Sequence, residues 1–381
     1  MVIIMKDNIA LKVRIYPTRK QKEKINNNFG CVRFVYNGLL SIYKERGKVV
    51  SYKELYSEDK LWLQESDTSS YSNVQINLRS AINNHYKNPN KFGLPIYKSK
   101  HNKKQSYTTS VTNNNSRIID DKHIKIPKVG VIKAKVHRIF AKEYKLKSVT
   151  IERDVDKKYY AVLLYEYERI LVDNQTNNNF INVLSIDYSM EHLGVLSNGE
   201  FLDYPKFYKQ NLNKIQELGR AFSRCTPHSN NWLKRKEDIA RLSVKIKHQR
   251  EDFLNKLAKK ISGIYDVIGI EDLDLQEMSK SNHYGKSIYD NAYGMFIRKL
   301  EYKLNLQGKK LIKVGKYFPS SKRCSLCGNI KEHLELSERI YTCSCGNIMD
   351  RDYNAALNIG EEGIKILFQK EIDKQIAMFT I

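Results

Sequence analysis

Apolar and basic positions alternate from Ala10 to Tyr16, with Leu11, Val13 and Ile15 set against Lys12 and Arg14. That period of two predicts a half-buried strand over residues 9–16 with a cationic outer face. Pro17-Thr18 ends the strand and caps a helix. Ile25, Phe29, Val32, Val35, Leu39 and Leu40 then recur at helical spacing from Lys20 to about Lys44, and a second such run spans residues 71–86. The two runs predict a small helical insert, closed by the Asn88-Pro89-Asn90 break. Between Gln105 and Leu171 the pattern returns to short strands, at 106–111, 117–119, 124–127, 130–136, 148–153 and 159–166, separated by Asn, Asp and Gly turns. Such a series predicts a small β-barrel that the first strand completes.

Residues 173–179 are polar without any period, which predicts a linker and a domain boundary. Residues 180–187 read as a mostly apolar strand ending on Asp187. A strand at 193–196, the hairpin signal Asn198-Gly199 and Phe201-Leu202 follow. A long Lys/Arg-rich helical hairpin is expected over 209–262, turned at 226–231. A strand at 265–270 leads into Glu271, a helix is expected at 289–307, a strand at 310–317 and a closing helix at 353–368. Strands and helices in this order make a multidomain α+β chain, and 381 residues suffice for two or three cores.

Charge narrows the partners. Lys and Arg number 66 against 42 Asp and Glu, a formal +24, and 25 Tyr and 13 Phe are interleaved with them. A polynucleotide supplies the negative charge that such an excess needs, and the aromatic residues suit stacking on bases. Lys125, Lys128, Lys133, Lys135, His137 and Arg138 would give the strand region one strongly basic side. No stretch reaches the roughly 18 apolar residues of a membrane span, so a cytoplasmic protein without membrane contact is expected.

Cysteine use points to a metal. Four of the six lie in two close pairs, Cys324-x-x-Cys327 and Cys343-x-Cys345, while Cys31 and Cys225 stand alone. Thiolate ligation of a structural Zn²⁺ explains the paired spacing better than disulfides do, with His333 as a spare candidate ligand. The second pair is one residue shorter than the usual spacing.

Asp187 and Glu271 stand at predicted strand ends and Asp352 opens a helix, the arrangement by which an RNase H-like nuclease brings three acids together. Gathered without a cation, three acids would repel and take up protons. Two Mg²⁺ ions roughly 4 Å apart would remove the repulsion, activate a water and stabilise the leaving oxygen of a phosphodiester.

Ile186-Asp187-Tyr188-Ser189-Met190, Ile268-Gly269-Ile270-Glu271-Asp272-Leu273, Phe318-Pro319-Ser320-Ser321-Lys322 with the cysteine pairs, and Asp350-Arg351-Asp352-Tyr353-Asn354-Ala355-Ala356 together resemble the TnpB (OrfB) family. Arg14-Ile15-Tyr16-Pro17, residues 29–37 and residues 95–100 resemble its opening. The family comprises transposon-encoded RNA-guided DNA endonucleases related to type V CRISPR effectors. The resemblance implies that Asp187, Glu271 and Asp352 are a RuvC-like catalytic triad, with Asp350 a helix cap. It implies a wedge β-barrel at 1–19 and 88–172, a recognition insert at 20–87, a nuclease domain at 180–318 and 347–381, and a zinc ribbon at 319–346. The implied partners are a guide RNA from the transposon's own locus and a double-stranded DNA target with its displaced strand, read beside a short motif. The alternatives are a nuclease-dead RNA-guided DNA-binding repressor and a transposase accessory protein acting without RNA.

Overall fold

The computed structural model describes residues 2–55, 58–101, 104–172, 181–280, 290, 292–335 and 337–379. The chain packs as two units, residues 1–174 and 175–381. The segment expected to be a linker, 173–179, lies outside the described residues.

In the first unit, β1 (Val2–Tyr16), β2 (Gln105–Ser110), β3 (Arg117–Ile118), β4 (His123–Ile126), β5 (Gly130–Lys135), β6 (Lys145–Arg153) and β7 (Tyr159–Val172) form one antiparallel sheet. Its order is β2-β6-β7-β1-β5-β4-β3, and among the described residues no ladder joins β2 to β3. Leu11, Val13 and Ile15 are buried as their alternation requires. Strand β1 is longer than its pattern. Residues 2–8 lack alternation and include Asp7 and Asn8, both poor strand formers, yet they pair with β7 from Val2↔Val172 onward. Cross-strand pairing overrides local preference there.

Helix α1 (Arg19–Arg46) starts at a capping box, with the Thr18 hydroxyl accepting from the Gln21 N–H and the Gln21 side chain accepting from the Thr18 N–H. It stops at Gly47, whose φ of 65° a glycine adopts without strain. Ile25, Phe29, Val32, Val35 and Leu39 form its buried stripe, against which α2 (Ser69–Lys87) sets Tyr71, Val74, Leu78 and Ile82. Two 3₁₀ turns, Tyr52–Leu55 and Glu58–Glu65, lie between the helices and carry no period that the sequence reveals.

The second unit holds β8 (Val183–Asp187), β9 (Gly194–Leu196), β10 (Phe201–Leu202), β11 (Val267–Glu271) and β12 (Lys310–Val314) in the order β10-β9-β8-β11-β12. The first three form an antiparallel meander, and β11 and β12 add in parallel beyond β8. Helices α3 (Phe207–Gln210), α4 (Leu212–Ser223) and α5 (Asn230–Ile264) make up the expected helical hairpin, and the short α6 (Leu275–Lys280) is an addition. Arg250, one of the many cations of this hairpin, is buried, against the Tyr204 hydroxyl at 3.2 Å and Asp290 at 3.4 Å. Arg235 and Arg241 are partly engaged by Glu237 and Asp238 on the same helix. Helix α7 (Tyr293–Leu306) starts after Ala292, which has a φ of 52°.

Leu184, Ile186, Ile268 and Ile270 pack with α5 and α7 on one face of this sheet. The alternate positions, Ser185 and Gly269, face the C-terminal helix α8 (Arg351–Phe379). The Ser185 hydroxyl donates to the Ala356 carbonyl at 2.6 Å. A Cβ on Gly269 would stand 3.2 Å from the Ile359 carbonyl, and one on Gly360 would stand 2.6 Å from the Ser185 hydroxyl. Small residues on both sides thus let helix and sheet backbones approach closely. Gly269→Val should destabilise the chain by about 1–3 kcal/mol through overpacking. Urea unfolding checks this: the midpoint falls for Gly269→Val, and an unchanged midpoint would show that the helix can back away without loss.

Candidate active site and metal centre

Asp187 ends β8 and Glu271 ends β11, its parallel neighbour, one residue beyond the paired Ile186 and Ile270. The period of two turns both acids to the face that α8 covers. Asp352 lies in the first turn of α8. Burial pushes the Asp187 carboxyl well above the usual carboxylate range, and the charges of Glu271 and Asp352 push it further, Arg351 opposing them. Burial also raises Glu271, which the donating Ser320 hydroxyl partly offsets. Asp350, just before the helix, accepts from the Tyr353 N–H at 2.9 Å and so caps it.

The structure therefore brings the three acids into one electrostatic neighbourhood, but their oxygens do not converge as ligands around a point. Asp352 accepts from the Arg351 guanidinium at 3.2 Å through two nitrogens and faces Arg339 at 3.6 Å. Beneath the acids, Tyr293 is buried and its hydroxyl has no hydrogen-bond partner among the described residues. The Asp187 and Glu271 charges, together with burial, raise its pKa. Hard carboxylate oxygens that repel one another are the donor chemistry that suits a hydrated divalent cation.

The cysteines converge fully. One ligand atom from each of Cys324, Cys327, Cys343 and Cys345 lies within 4.8 Å of all the others. Cys324 and Cys345 sulfurs are 3.7 Å apart, and those of Cys327 and Cys343 are 3.6 Å apart. A tetrahedron with Zn–S bonds of about 2.3 Å has edges of about 3.8 Å, so the donor set fits zinc. Gly328 and Gly346, with φ of 78° and 90°, make the two tight turns. At the short pair, the Gly346 N–H donates back to the Cys343 carbonyl, and the Asn347 amide donates to the Cys324 sulfur at 3.3 Å. The turn beyond Cys345 thus supplies the closure that a second intervening residue would otherwise allow. Cys324 is enclosed, which raises its thiol, yet the Cys327 N–H, the Asn347 amide and the Leu326 N–H lower it to about 6. His333 is not drawn in; it is exposed and bonded to Glu335 at 2.6 Å.

Polar residues that no spacing rule singles out join the cysteine cluster to the acids. Strands β13 (Ile340–Thr342) and β14 (Ile348–Asp350) form a hairpin that runs directly into α8. The Asn358 amide donates to the Ser320 and Arg323 carbonyls at 2.8 and 2.6 Å, and Asn354 bridges the Arg323 carbonyl and the Ser325 N–H. Arg323 grips Glu361 at 2.5 Å, and the Glu361 carboxyl falls to about 2, chiefly through Arg323 and then Lys365. Asn354 and Asn358, wholly buried and four residues apart among the apolar Ala355, Ala356 and Ile359, were the available signal.

Three family profiles match the chain: "Probable transposase" over residues 162–282, "Cas12f1-like, TNB domain" over 293–359 and "Helix-turn-helix domain" over 5–48. The residues of the third match fold here as β1 and α1. The chain is 30% identical to a Streptomyces pristinaespiralis protein named "Putative RNA-guided DNA endonuclease", across 93% of this chain and 89% of that one. It is 26% identical to "Putative RNA-guided DNA endonuclease InsQ" of Escherichia coli (strain K12), across 95% and 94%. Among solved structures, the protein in "Cryo-EM structure of the Cas12f1-sgRNA-target DNA complex" shares its fold, with a TM-score of 0.56 at 14% identity over 94% of this chain and 99% of that one.

Two outcomes follow from the geometry. Metal analysis of the purified protein should find about one zinc ion per chain, lost on Cys343→Ser, whereas zinc retained by that variant would exclude the four-sulfur site. Asp187 is raised on folding, so the folded state binds the extra proton and stability falls as pH rises from the ordinary carboxylate range towards its shifted value. Without added divalent cations, Asp187→Asn should therefore melt at a higher temperature than the parent at neutral pH. The gain should shrink on acidification; scanning calorimetry across pH reads both.

Proposed function

We propose that this chain, which belongs to the TnpB (OrfB) family, is an RNA-guided DNA endonuclease encoded by a transposon, with a RuvC-like, RNase H-like C-terminal unit that hydrolyses phosphodiesters. One observation carries the chemistry: Asp187 is buried where its charge is opposed by Glu271 and Asp352, a cost that a fold retains when a cation is to be held there. Asp187, Glu271 and Asp352 would hold Mg²⁺. When bound, the metal supplies an activated water and stabilises the charge on the leaving oxygen.

The chain's own residues do the rest. Ser320 donates to Glu271 and fixes which carboxylate oxygen faces the site. Arg351 and Arg339 hold Asp352 and are positioned to yield it to a cation and turn to a phosphate. The four-cysteine ribbon, whose hairpin opens α8, stiffens the approach to Asp352 and guides a DNA strand towards the acids. In the N-terminal unit the exposed Lys128, Lys133 and Lys135, beside the half-buried Lys125, offer a phosphate-binding face for guide RNA. That unit reads as a wedge domain with a helical recognition insert, target sequence being left to base pairing. Relatives named RNA-guided DNA endonucleases over nearly the same length support this reading.

The test is co-expression with DNA from the protein's own locus, sequencing of the RNA that copurifies, and cleavage of a matched target library in Mg²⁺. A defined RNA and cleavage beside a constant short motif are expected. Absence of bound RNA would sink the guidance. Asp187→Ala or Asp352→Ala should cut cleavage by on the order of a thousandfold while RNA binding persists; unimpaired cutting would mean that other acids do the chemistry.

A further inference from the structure

We propose that the large cavity beside α1 in the N-terminal unit is a binding site for one unpaired nucleotide, its base against Phe34 and Trp62 and its phosphate at Arg33 and Lys100. The proposal rests on the reading of the chain as a nucleic-acid enzyme and adds to it a defined place where a single base is held. The cavity measures about 720 Å³, within the range of about 300–1,000 Å³ in which proteins hold small organic ligands.

Its aromatic wall is unusual. Phe34 and Trp62 meet edge to face with ring centroids 5.4 Å apart, yet remain 38% and 42% exposed. Packing into a core is the common use of such a pair, and here the neighbouring Val35 and Leu63 serve that use while Phe34 and Trp62 stay open. Every base has a π-face, so an open aromatic pair is a stacking platform without sequence preference.

The polar wall supplies the rest of a nucleotide's requirements. Asn26 and Asn27 stand exposed on α1 at the cavity. The Asn26 carbonyl oxygen is taken by Arg153 at 3.1 Å and by the Tyr159 hydroxyl at 3.4 Å, while Asn27 can present both a donor and an acceptor to a base edge. Asn37 is spent on the Lys98 backbone through both amide atoms, at 2.8 and 3.0 Å, and so fixes the wall. Arg33 is steadied by the Gln105 side chain at 3.3 Å. It also lines a smaller neighbouring cavity of about 120 Å³ with Lys98 and Lys104. Arg33 and Lys98 thus extend the cationic wall away from the aromatic pair, Lys104 there being paired with Glu152 at 2.8 Å. Glu65, the one acid lining the cavity among the described residues, can accept from an exocyclic amine of a base.

Guide RNA and a separated DNA strand offer the same base and phosphate, and a two-arm experiment tells them apart. The chain has two tryptophans, so Trp232→Phe leaves Trp62 as the only one. The full-length Trp232→Phe protein is titrated with an unlabelled cytidine octanucleotide or a deoxycytidine octanucleotide, whose bases carry the exocyclic amine that Glu65 can take, while tryptophan emission is read. Parallel titrations with labelled strands follow anisotropy. Emission should be quenched at the same midpoint at which anisotropy rises, and the strand that quenches at lower concentration identifies the natural occupant. Trp62→Ala should weaken that strand's binding about tenfold, Trp62→Phe should restore most of it, and Asn27→Ala, a change at an exposed position, should weaken it without touching the fold. Anisotropy that rises while Trp62 emission stays constant and Trp62→Ala binds like the parent would overturn the pocket and leave the wider reading standing. No anisotropy change with either strand would overturn the wider reading itself.

Discussion

Helix α8 lies against β8 and β11 because Ser185, Gly269 and Gly360 present almost no side chain where the elements meet, and every feature of the candidate active site depends on that approach. Larger residues would lift the helix, and Asp352 in its first turn with it. Backbone proximity is therefore what turns three acids distant in sequence into one charged neighbourhood, and burial then makes their repulsion costly. The site is destabilising by itself, as proposed catalytic carboxylates commonly are, and the surrounding apolar packing of β8 and β11 on α5 and α7 offsets it.

The cysteine ribbon belongs to the same construction. Its loop begins at Ser320, which donates to Glu271, and its hairpin ends at Asp350, which caps the helix carrying Asp352. Asn354 and Asn358 bind the loop carbonyls from inside the helix. Two of the three acids are thus braced by residues that flank the four-cysteine loop. Ordering four thiolates around an ion would stiffen both braces at once, a physical role in the proposed chemistry besides the proposed contact with DNA.

Much of the fold was legible because its elements are strongly periodic. The alternation over residues 9–16, the stripes of α1 and α2 and the hairpin signal at Asn198-Gly199 each identify an element by side-chain spacing alone. Misses fell where spacing carries no information. The first half of β1 is held by pairing with β7, α6 and the ribbon hairpin are too short to show a period, and Arg250 looks like one more surface cation until Asp290 and Tyr204 enclose it. His333 has suitable chemistry for a metal ligand but is exposed and bonded to Glu335.

By itself the sequence determined the cationic excess, the two cysteine pairs, the three acids in order and the family likeness, all properties of residue type and local spacing. Tertiary structure alone decided that four sulfurs converge while the carboxylate oxygens do not, that Tyr293 is buried beneath the acids, and that Ser320 and two buried asparagines tie ribbon to helix. It also decided that Phe34 and Trp62, on separate elements, form one open wall. These are relations between groups far apart along the chain, and hydrogen bonds and close packing act over a few ångströms, so only the folded arrangement can choose the partners.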